Sequence, residues 1–161
     1  LATGWIRNAQ LERDFAGIQR ALSTTKSLAM RNVTGTPAQG AVFVATAALC
    51  RANDTLIIYQ RGIPAPTDLA SCNRVSAVAA ENKPLYSMGQ DVAITFGANN
   101  QAFCGAVFDA RGSVRLCSGA NCTTCDTTFD PRASGALKVS ISGADATSDP
   151  NSDQTQLIRA F

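Results

Sequence analysis

The chain has 161 residues, of which 45% are hydrophobic and 16% are charged, and its formal net charge is +2. This length and composition are typical of one folded globular domain and exclude an intrinsically disordered chain. The small charge does not favour nucleic acid or an anionic membrane as the main partner, and the absence of histidine excludes Ser-His-Asp and Cys-His catalysis as well as histidine-ligated zinc or haem.

The first predicted element is a long amphipathic helix over residues 5–32, which ends before the breaker Gly35-Thr36-Pro37. Its apolar side chains recur at steps of three, four and seven residues, as on one face of a helix. The residues of this predicted core face are Leu11, Phe15, Ile18, Leu22 and Ala29. The charged side chains predicted to lie away from it are Arg13, Asp14, Arg20 and Lys26.

After Pro37 the pattern changes to short β-rich runs, and alternation is clearest in 92–96 and 137–141. The predicted strands cover 40–49, 55–60, 84–88, 91–97, 103–110, 112–117, 136–142 and 155–161, with polar loops over 62–75, 117–135 and 143–154. The sequence therefore predicts an α+β fold in which a long N-terminal helix packs on a mostly antiparallel, β-rich head that disulfides stabilise.

The six cysteines are an even number, which suits three disulfides formed in an oxidising compartment. In the predicted hairpin 103–117, a two-residue turn at Ala110-Arg111 places Cys104 opposite Cys117, although a slip of one residue would remove this pairing. A bridge across the loop between Cys50 and Cys72 would contribute roughly 3 kcal/mol. Among fifteen connectivities, the preferred pairs are Cys50–Cys72, Cys104–Cys117 and Cys122–Cys125.

A metal–sulfur site is the alternative interpretation of the cysteines, because Cys117, Cys122 and Cys125 have the C-x4-C-x2-C spacing of plant-type [2Fe–2S] ferredoxins. With Cys104 they could also form an all-thiolate zinc site. However, no cysteine follows Cys125, the chain is slightly basic, and either site leaves two cysteines unexplained. We therefore predict no cofactor and keep a small metal–sulfur protein as an alternative.

A calcium loop is the second metal hypothesis, because Asp149, Asn151 and Asp153 alternate as in the first half of an EF-hand loop. Gln154 and Ala160 stand where that loop needs glycine and glutamate. A solvated loop that Pro150 stiffens is the preferred interpretation.

The long helix, the Gly/Pro break and the disulfide-bearing β head together resemble the periplasmic part of a type IV minor pilin or a type II secretion pseudopilin. The similarity is to the branch that includes GspH, FimU and FimT. It is carried by the segments LSTTKSLAMRNVTG (22–35), GAVFVATA (40–47), VAITFGANNQ (92–101) and AVFDARGSVRLC (106–117). In the last segment, Phe108, Gly112 and Val114 fit the rhythm F-x-x-x-G-x-V of that branch.

The resemblance implies one pilin-like domain over 1–161, with 1–34 as the C-terminal half of the pilin helix and 38–161 as the head. It implies a non-enzymatic subunit that helps to prime or cap a pilus or pseudopilus through contacts with other subunits. A removed apolar half-helix would anchor it in the bacterial inner membrane before it enters a periplasmic or extracellular filament. The helix residues expected at subunit contacts are Trp5, Ile6, Leu11, Phe15, Ile18 and Leu22.

The FimT-like members of this family bind DNA, so the resemblance also implies an alternative function as a DNA-binding pilin for natural transformation. The expected contact residues are Arg111, Arg115, Arg132 and Arg159. Residues 110–161 hold five basic and five acidic residues, and this balance does not favour a nucleic-acid surface.

Overall fold

The computed structural model describes residues 2–31, 43–60, 72, 85–89, 91–129, 137–141, 155–159 and 161. These residues form one helix, α1, and ten strands. Their bounds are α1 Ala2–Arg31, β1 Ala45–Ala52, β2 Thr55–Gln60, β3 Leu85–Ser87, β4 Val92–Phe96, β5 Gln101–Ala102, β6 Gly105–Asp109, β7 Val114–Ser118, β8 Thr124–Thr128, β9 Leu137–Ile141 and β10 Thr155–Ile158.

Helix α1 buries the face that its periodicity predicts, since Leu11, Ile18, Leu22 and Ala29 are all inaccessible to solvent or nearly so. Near its C-terminal end, the Thr46 hydroxyl donates a hydrogen bond of 2.9 Å to the Ala29 carbonyl. This bond satisfies one of the carbonyls that the last turn of a helix leaves without an intrahelical partner. The helix is therefore fixed to β1 by packing and by a buried hydrogen bond.

Six antiparallel strands form the first sheet, in the order β3-β2-β1-β6-β7-β8. Strand β1 lies at its centre and is buried on both faces over its first six residues. This explains why the sequence around β1 is a continuous apolar run without alternation. A bulge between Ala45 and Ala47 shifts the register of β1 against β6, at the position from which Thr46 reaches the helix.

Four antiparallel strands form the second sheet, in the order β10-β9-β4-β5. In β4 and β9 every second residue is buried, as the alternation of these two segments predicts. Their buried side chains are Val92, Ile94 and Phe96 on β4, and Leu137, Val139 and Ile141 on β9.

Two clusters of buried side chains lie on opposite faces of the six-stranded sheet. The first, the helix-side core, joins α1 to both sheets; its largest fully buried residues include Phe96, Phe108, Leu49, Leu116 and Ile158. The second, the far-face cluster, contains Ala45, Ala48, Cys50, Tyr59, Cys72, Val107, Cys117 and Cys122. Neighbouring residues on one strand, such as Val107 and Phe108, belong to different clusters because side chains alternate across a strand.

The predicted fold, a helix packed on one mostly antiparallel, pilin-like α+β head, is wrong. The described strands form two separate sheets, and α1 packs into the core that both sheets share. The alternation within each strand predicts which side chains are buried, but it carries no information about which strands are neighbours. The sequence pattern therefore could not predict that β4 pairs with β9 and not with a strand of the first sheet.

The Arg51 side chain links the two sheets. From β1 it donates a hydrogen bond of 2.7 Å to the Val92 carbonyl on β4 and one of 2.8 Å to the Asn53 carbonyl in the β1–β2 turn. Burial lowers the pKa of this guanidinium, and the neighbouring Asp54 carboxylate partly offsets that effect. The two backbone acceptors compensate the partial desolvation of the charge.

Candidate functional site

The six cysteines form the most distinctive group of side chains in the described structure, and we call this group the disulfide cluster. Its bridges are Cys50–Cys72, Cys104–Cys122 and Cys117–Cys125. One sulfur from each bridge, those of Cys72, Cys117 and Cys122, lies within 4.8 Å of the other two. Through these three inner sulfurs, the three bridges lie next to one another on the far face of the six-stranded sheet.

The first bridge, Cys50–Cys72, is the predicted one, whereas the predicted pairs Cys104–Cys117 and Cys122–Cys125 are wrong. The reason is the register of the β6–β7 hairpin, in which Gly105, and not Cys104, lies opposite Cys117. A slip of one residue exchanges the faces on which side chains lie, so Cys104 and Cys117 each take a different partner.

The register of this hairpin is set by Asp109, which is buried at the end of β6. One of its carboxylate oxygens accepts hydrogen bonds from the backbone N–H of Arg111 at 3.0 Å and of Ser113 at 2.8 Å. Gly112 supplies the left-handed conformation, with φ of 84°. The loop therefore has three residues between Asp109 and Ser113 and follows the common pattern of a turn closed by a left-handed glycine.

Two backbone features bring the bridges together. Cys122 adopts a left-handed conformation, with φ of 53°, and its N–H donates to the Gly119 carbonyl at 3.1 Å in a tight turn after β7. Its own carbonyl accepts a 3.0 Å hydrogen bond from the Cys72 N–H. Gly105 has no side chain, and a Cβ there would overlap the Cys72 sulfur and lie 2.8 Å from the Leu49 carbonyl. Glycine at 105 thus leaves the space that the Cys50–Cys72 bridge occupies.

In this state the disulfide cluster is a set of covalent cross-links. Each of the four cysteines proposed for a [2Fe–2S] or zinc site is bonded to another cysteine, and a metal needs the thiolate form of such a ligand. The spacing C-x4-C-x2-C suggested a metal site. In the structure Cys117 instead forms a disulfide with Cys125, and Cys122 forms one with Cys104. The calcium hypothesis at Asp149, Asn151 and Asp153 lies outside the described residues.

A polar site formed by Asp14, Tyr86 and Gly89 fixes α1 to the edge of the first sheet. Asp14 is fully buried; its carboxylate accepts a hydrogen bond from the Gly89 N–H at 3.2 Å and lies 2.9 Å from the Tyr86 hydroxyl. The Tyr86 ring packs against α1 at Gly17, where a Cβ would overlap the ring. Asp14 was predicted to face away from the core, although its spacing of three from Leu11 and four from Ile18 matches the buried face.

Both tyrosines of the chain have a raised pKa. Burial is the main reason that the pKa of Tyr86 is raised, and the hydrogen bond to Asp14 and its negative charge raise it further, while Arg13 opposes them. For Tyr59, in the far-face cluster, burial alone raises the pKa. Each phenol is therefore held in its neutral form above the pH at which a free tyrosine titrates.

The residues predicted for subunit packing do not form one exposed surface. Leu11, Ile18 and Leu22 belong to the helix-side core of the chain itself, and Phe15 is partly buried against it. That part of the prediction is wrong, because the apolar stripe packs within the chain. Ile6 differs, with 56% of its surface exposed, and the Trp5 side chain lies outside the described residues.

The described basic residues predicted for DNA contact each have a different local environment. Arg111 forms an ion pair with Asp109 at 3.4 Å at the hairpin tip, and the Arg115 guanidinium stacks 4.5 Å from the centre of the Phe43 ring, beside the far-face cluster. Arg159 instead lines a cavity of about 350 Å³ next to Phe161. Arg132 lies outside the described residues. Among the described residues, the cavity beside Arg159 is also lined by Lys26 and by Gly112, Ser113 and Val114, which lie between Arg111 and Arg115 in the sequence.

No family model, curated protein sequence or solved structure matches this chain. The similarity to minor pilins and pseudopilins therefore rests on the sequence segments alone.

Among the described residues, no helical segment has the length and apolar character that crossing a bilayer requires.

Proposed function

We propose that the protein is a structural subunit of a bacterial type IV pilus or pseudopilus, which acts through contacts with other subunits and not through catalysis. In this proposal it helps to prime or cap the filament from an inner-membrane-anchored state and then occupies the periplasmic or extracellular filament. The proposal rests on the sequence resemblance and on helix α1.

The observation that carries the proposal is that the first residues of α1 extend beyond the part of the helix that packs within the chain. At 30 residues the helix is about 45 Å long. Its packed part begins at Gln10, which lies against Gly89, and at Leu11, which is 1% exposed. Before that point the described side chains of Ile6, Asn8 and Ala9 are exposed. In this proposal, contact with a neighbouring subunit at the start of α1 would bury the Ile6 side chain, which is 56% exposed in this structure.

The disulfide cluster supports the proposed location. Disulfides persist in oxidising compartments such as the bacterial periplasm and the cell surface, and all six cysteines are paired. A subunit exposed outside the cytoplasm also benefits from cross-links that restrict its unfolded chain.

The test is deletion and complementation in the source bacterium, with sheared surface filaments examined by electron microscopy and by immunogold labelling against this chain. Deletion should reduce filament number strongly, and the unaltered gene should restore it. Ile6→Asp should fail to restore it, because the charge would be placed in the subunit contact.

The matched control is Met30→Asp, which changes a side chain of similar exposure, 53% against 56%, at the opposite end of α1. This variant should restore filaments. An unchanged filament number after deletion, together with filaments that carry no label, would overturn the proposal.

A further inference from the structure

The three bridges differ in how well solvent reaches their two ends. Cys117 is fully buried, and Cys72 and Cys122 are 4% and 8% exposed. Cys125 is only partly buried, and it lies on the edge strand β8 between the exposed residues Thr124 and Asp126. Cys104 is also partly buried, but it lies between the buried residues Phe103 and Gly105. A small thiol from solvent therefore meets the Cys117–Cys125 bridge first, at the Cys125 sulfur on the edge strand.

Breaking this bridge at Cys125 leaves the negative charge on Cys117, in the middle of the far-face cluster. A thiolate in apolar surroundings is unfavourable because it has lost its hydration. The Cys117 sulfur is within 4.8 Å of the Cys122 and Cys72 sulfurs, each of which belongs to a different bridge. It can therefore reach either neighbouring disulfide by small side-chain movements.

We propose that the disulfide cluster is a thiol–disulfide exchange site for small monothiols, in which attack at Cys125 is relayed through Cys117 and Cys122 to Cys104. The site is independent of the proposed filament function. It follows from the proximity of the inner sulfurs and from the unequal exposure of the bridges.

The exchange balances without any further oxidant or reductant. The incoming thiolate bonds to the Cys125 sulfur, the Cys117–Cys125 bond breaks, and the electron pair leaves on Cys117. The Cys117 thiolate then bonds to the Cys122 sulfur, the Cys104–Cys122 bond breaks, and the electron pair leaves on Cys104, which takes a proton from solvent. The products are a mixed disulfide at Cys125, a Cys117–Cys122 bridge and a thiol at Cys104.

The difference in solvent exposure between Cys50 and Cys104 directs the relay to Cys104. Attack of Cys117 on the Cys72 sulfur would release a thiolate at Cys50, which is 2% exposed. Attack on the Cys122 sulfur releases it at Cys104, which is only partly buried. Because desolvation disfavours the charged form of a thiol, the Cys104 product is favoured.

The test treats the folded, fully oxidised protein with reduced glutathione, quenches with iodoacetamide and maps the peptides by mass spectrometry without reduction. The expected result is glutathione on Cys125, the alkyl label on Cys104 and a Cys117–Cys122 linked peptide. An alkyl label on Cys117 with the Cys104–Cys122 bridge intact would overturn the relay, and so would the absence of any glutathione adduct.

A matched pair of variants removes the same bridge but leaves different thiols. In Cys125→Ser the remaining thiol is Cys117, and the label should move to Cys104. In Cys117→Ser the remaining thiol is Cys125, which is not one of the inner sulfurs, and the label should stay there. A label that stays on Cys117 in the first variant contradicts the proposal; where either variant does not fold, the glutathione experiment on the unaltered protein decides.

Discussion

The two faces of the six-stranded sheet are stabilised in different ways. On the helix side, large side chains such as Phe108 and Leu116 are fully buried against α1 and the second sheet. On the far face, the same strands carry smaller side chains such as Val107 and Cys117, and three disulfides lie among them. On the helix side, α1 and the second sheet supply the apolar burial that stabilises the sheet. On the far face, the three bridges add covalent cross-links that constrain the unfolded chain.

The largest expected effect comes from the helix side. Phe108→Ala should lower the free energy of unfolding by about 3–5 kcal/mol, because it leaves a cavity in a fully packed core. The matched variant Val107→Ala changes the next residue, which is equally buried but on the far face. It should cost about half as much, since fewer buried carbon atoms are lost. Chemical denaturation of both variants makes the comparison, and equal losses would contradict the distinction between the faces.

The second effect comes from the far face. Replacing Cys50 and Cys72 together by alanine should cost roughly 3.4 kcal/mol, and replacing Cys117 and Cys125 should cost roughly 2.5 kcal/mol, because the bridges close loops of different length. The sequence separations are 22 and 8 residues. Denaturation with the remaining bridges intact measures both values. A larger loss for the shorter loop would show that packing, and not chain entropy, governs this face.

The third effect is smaller and lies at the buried carboxylate of α1. Asp14→Asn keeps the shape of the side chain but leaves it with fewer acceptor sites for the Tyr86 hydroxyl and the Gly89 N–H. We expect a loss of about 1–3 kcal/mol, the cost of one buried donor without a full partner. Thermal unfolding measures it against Glu12→Gln, an exposed position on the same helix, which should change stability by less than about 0.5 kcal/mol.

The smallest expected effect is measured by a titration. It compares Tyr86, which packs against the helix-side core, with Tyr59 in the far-face cluster. The chain contains two tyrosines, and both have a raised pKa. Since the folded pKa exceeds the unfolded value of about 10, each phenol contributes stability below about pH 10 that is lost as the pH rises through the folded pKa. Tyrosinate absorbance should therefore appear at higher pH in the folded protein than in denaturant.

The variant Asp14→Asn refines this titration. Removing the carboxylate should lower the pKa of Tyr86 toward its ordinary value and leave Tyr59 unchanged, because only Tyr86 is hydrogen-bonded to Asp14. Tyr59→Phe and Tyr86→Phe assign the two transitions. A shift of both transitions in Asp14→Asn would mean that the two faces are coupled.

The features that the sequence predicts well are those with a local period. The helix, eight of the strands and the buried residues of β4 and β9 follow from apolar spacing alone. Strand β8 was predicted as loop because Thr124–Thr128 has no apolar alternation, and its side chains alternate only between exposed and partly buried. It is a strand through pairing with β7, which is a contact that local composition does not encode.

The features that the sequence did not predict depend on partners distant in the chain or on one turn. Asp14 is buried because Tyr86 and Gly89, 72 and 75 residues away, satisfy its carboxylate. The disulfide pairs depend on a three-residue loop in place of a two-residue turn. That loop had a signal in the sequence: aspartate three residues before glycine, in Asp109-Ala110-Arg111-Gly112, favours a turn closed by a left-handed glycine.

Disulfide mapping of the unreduced protein tests the register of this hairpin, and with it the disulfide cluster, most directly. Proteolysis without reduction, followed by mass spectrometry, should give linked peptides for Cys50–Cys72, Cys104–Cys122 and Cys117–Cys125. Linked peptides for Cys104–Cys117 and Cys122–Cys125 would instead require the two-residue turn at Ala110-Arg111, and they would contradict the account of the far face given above.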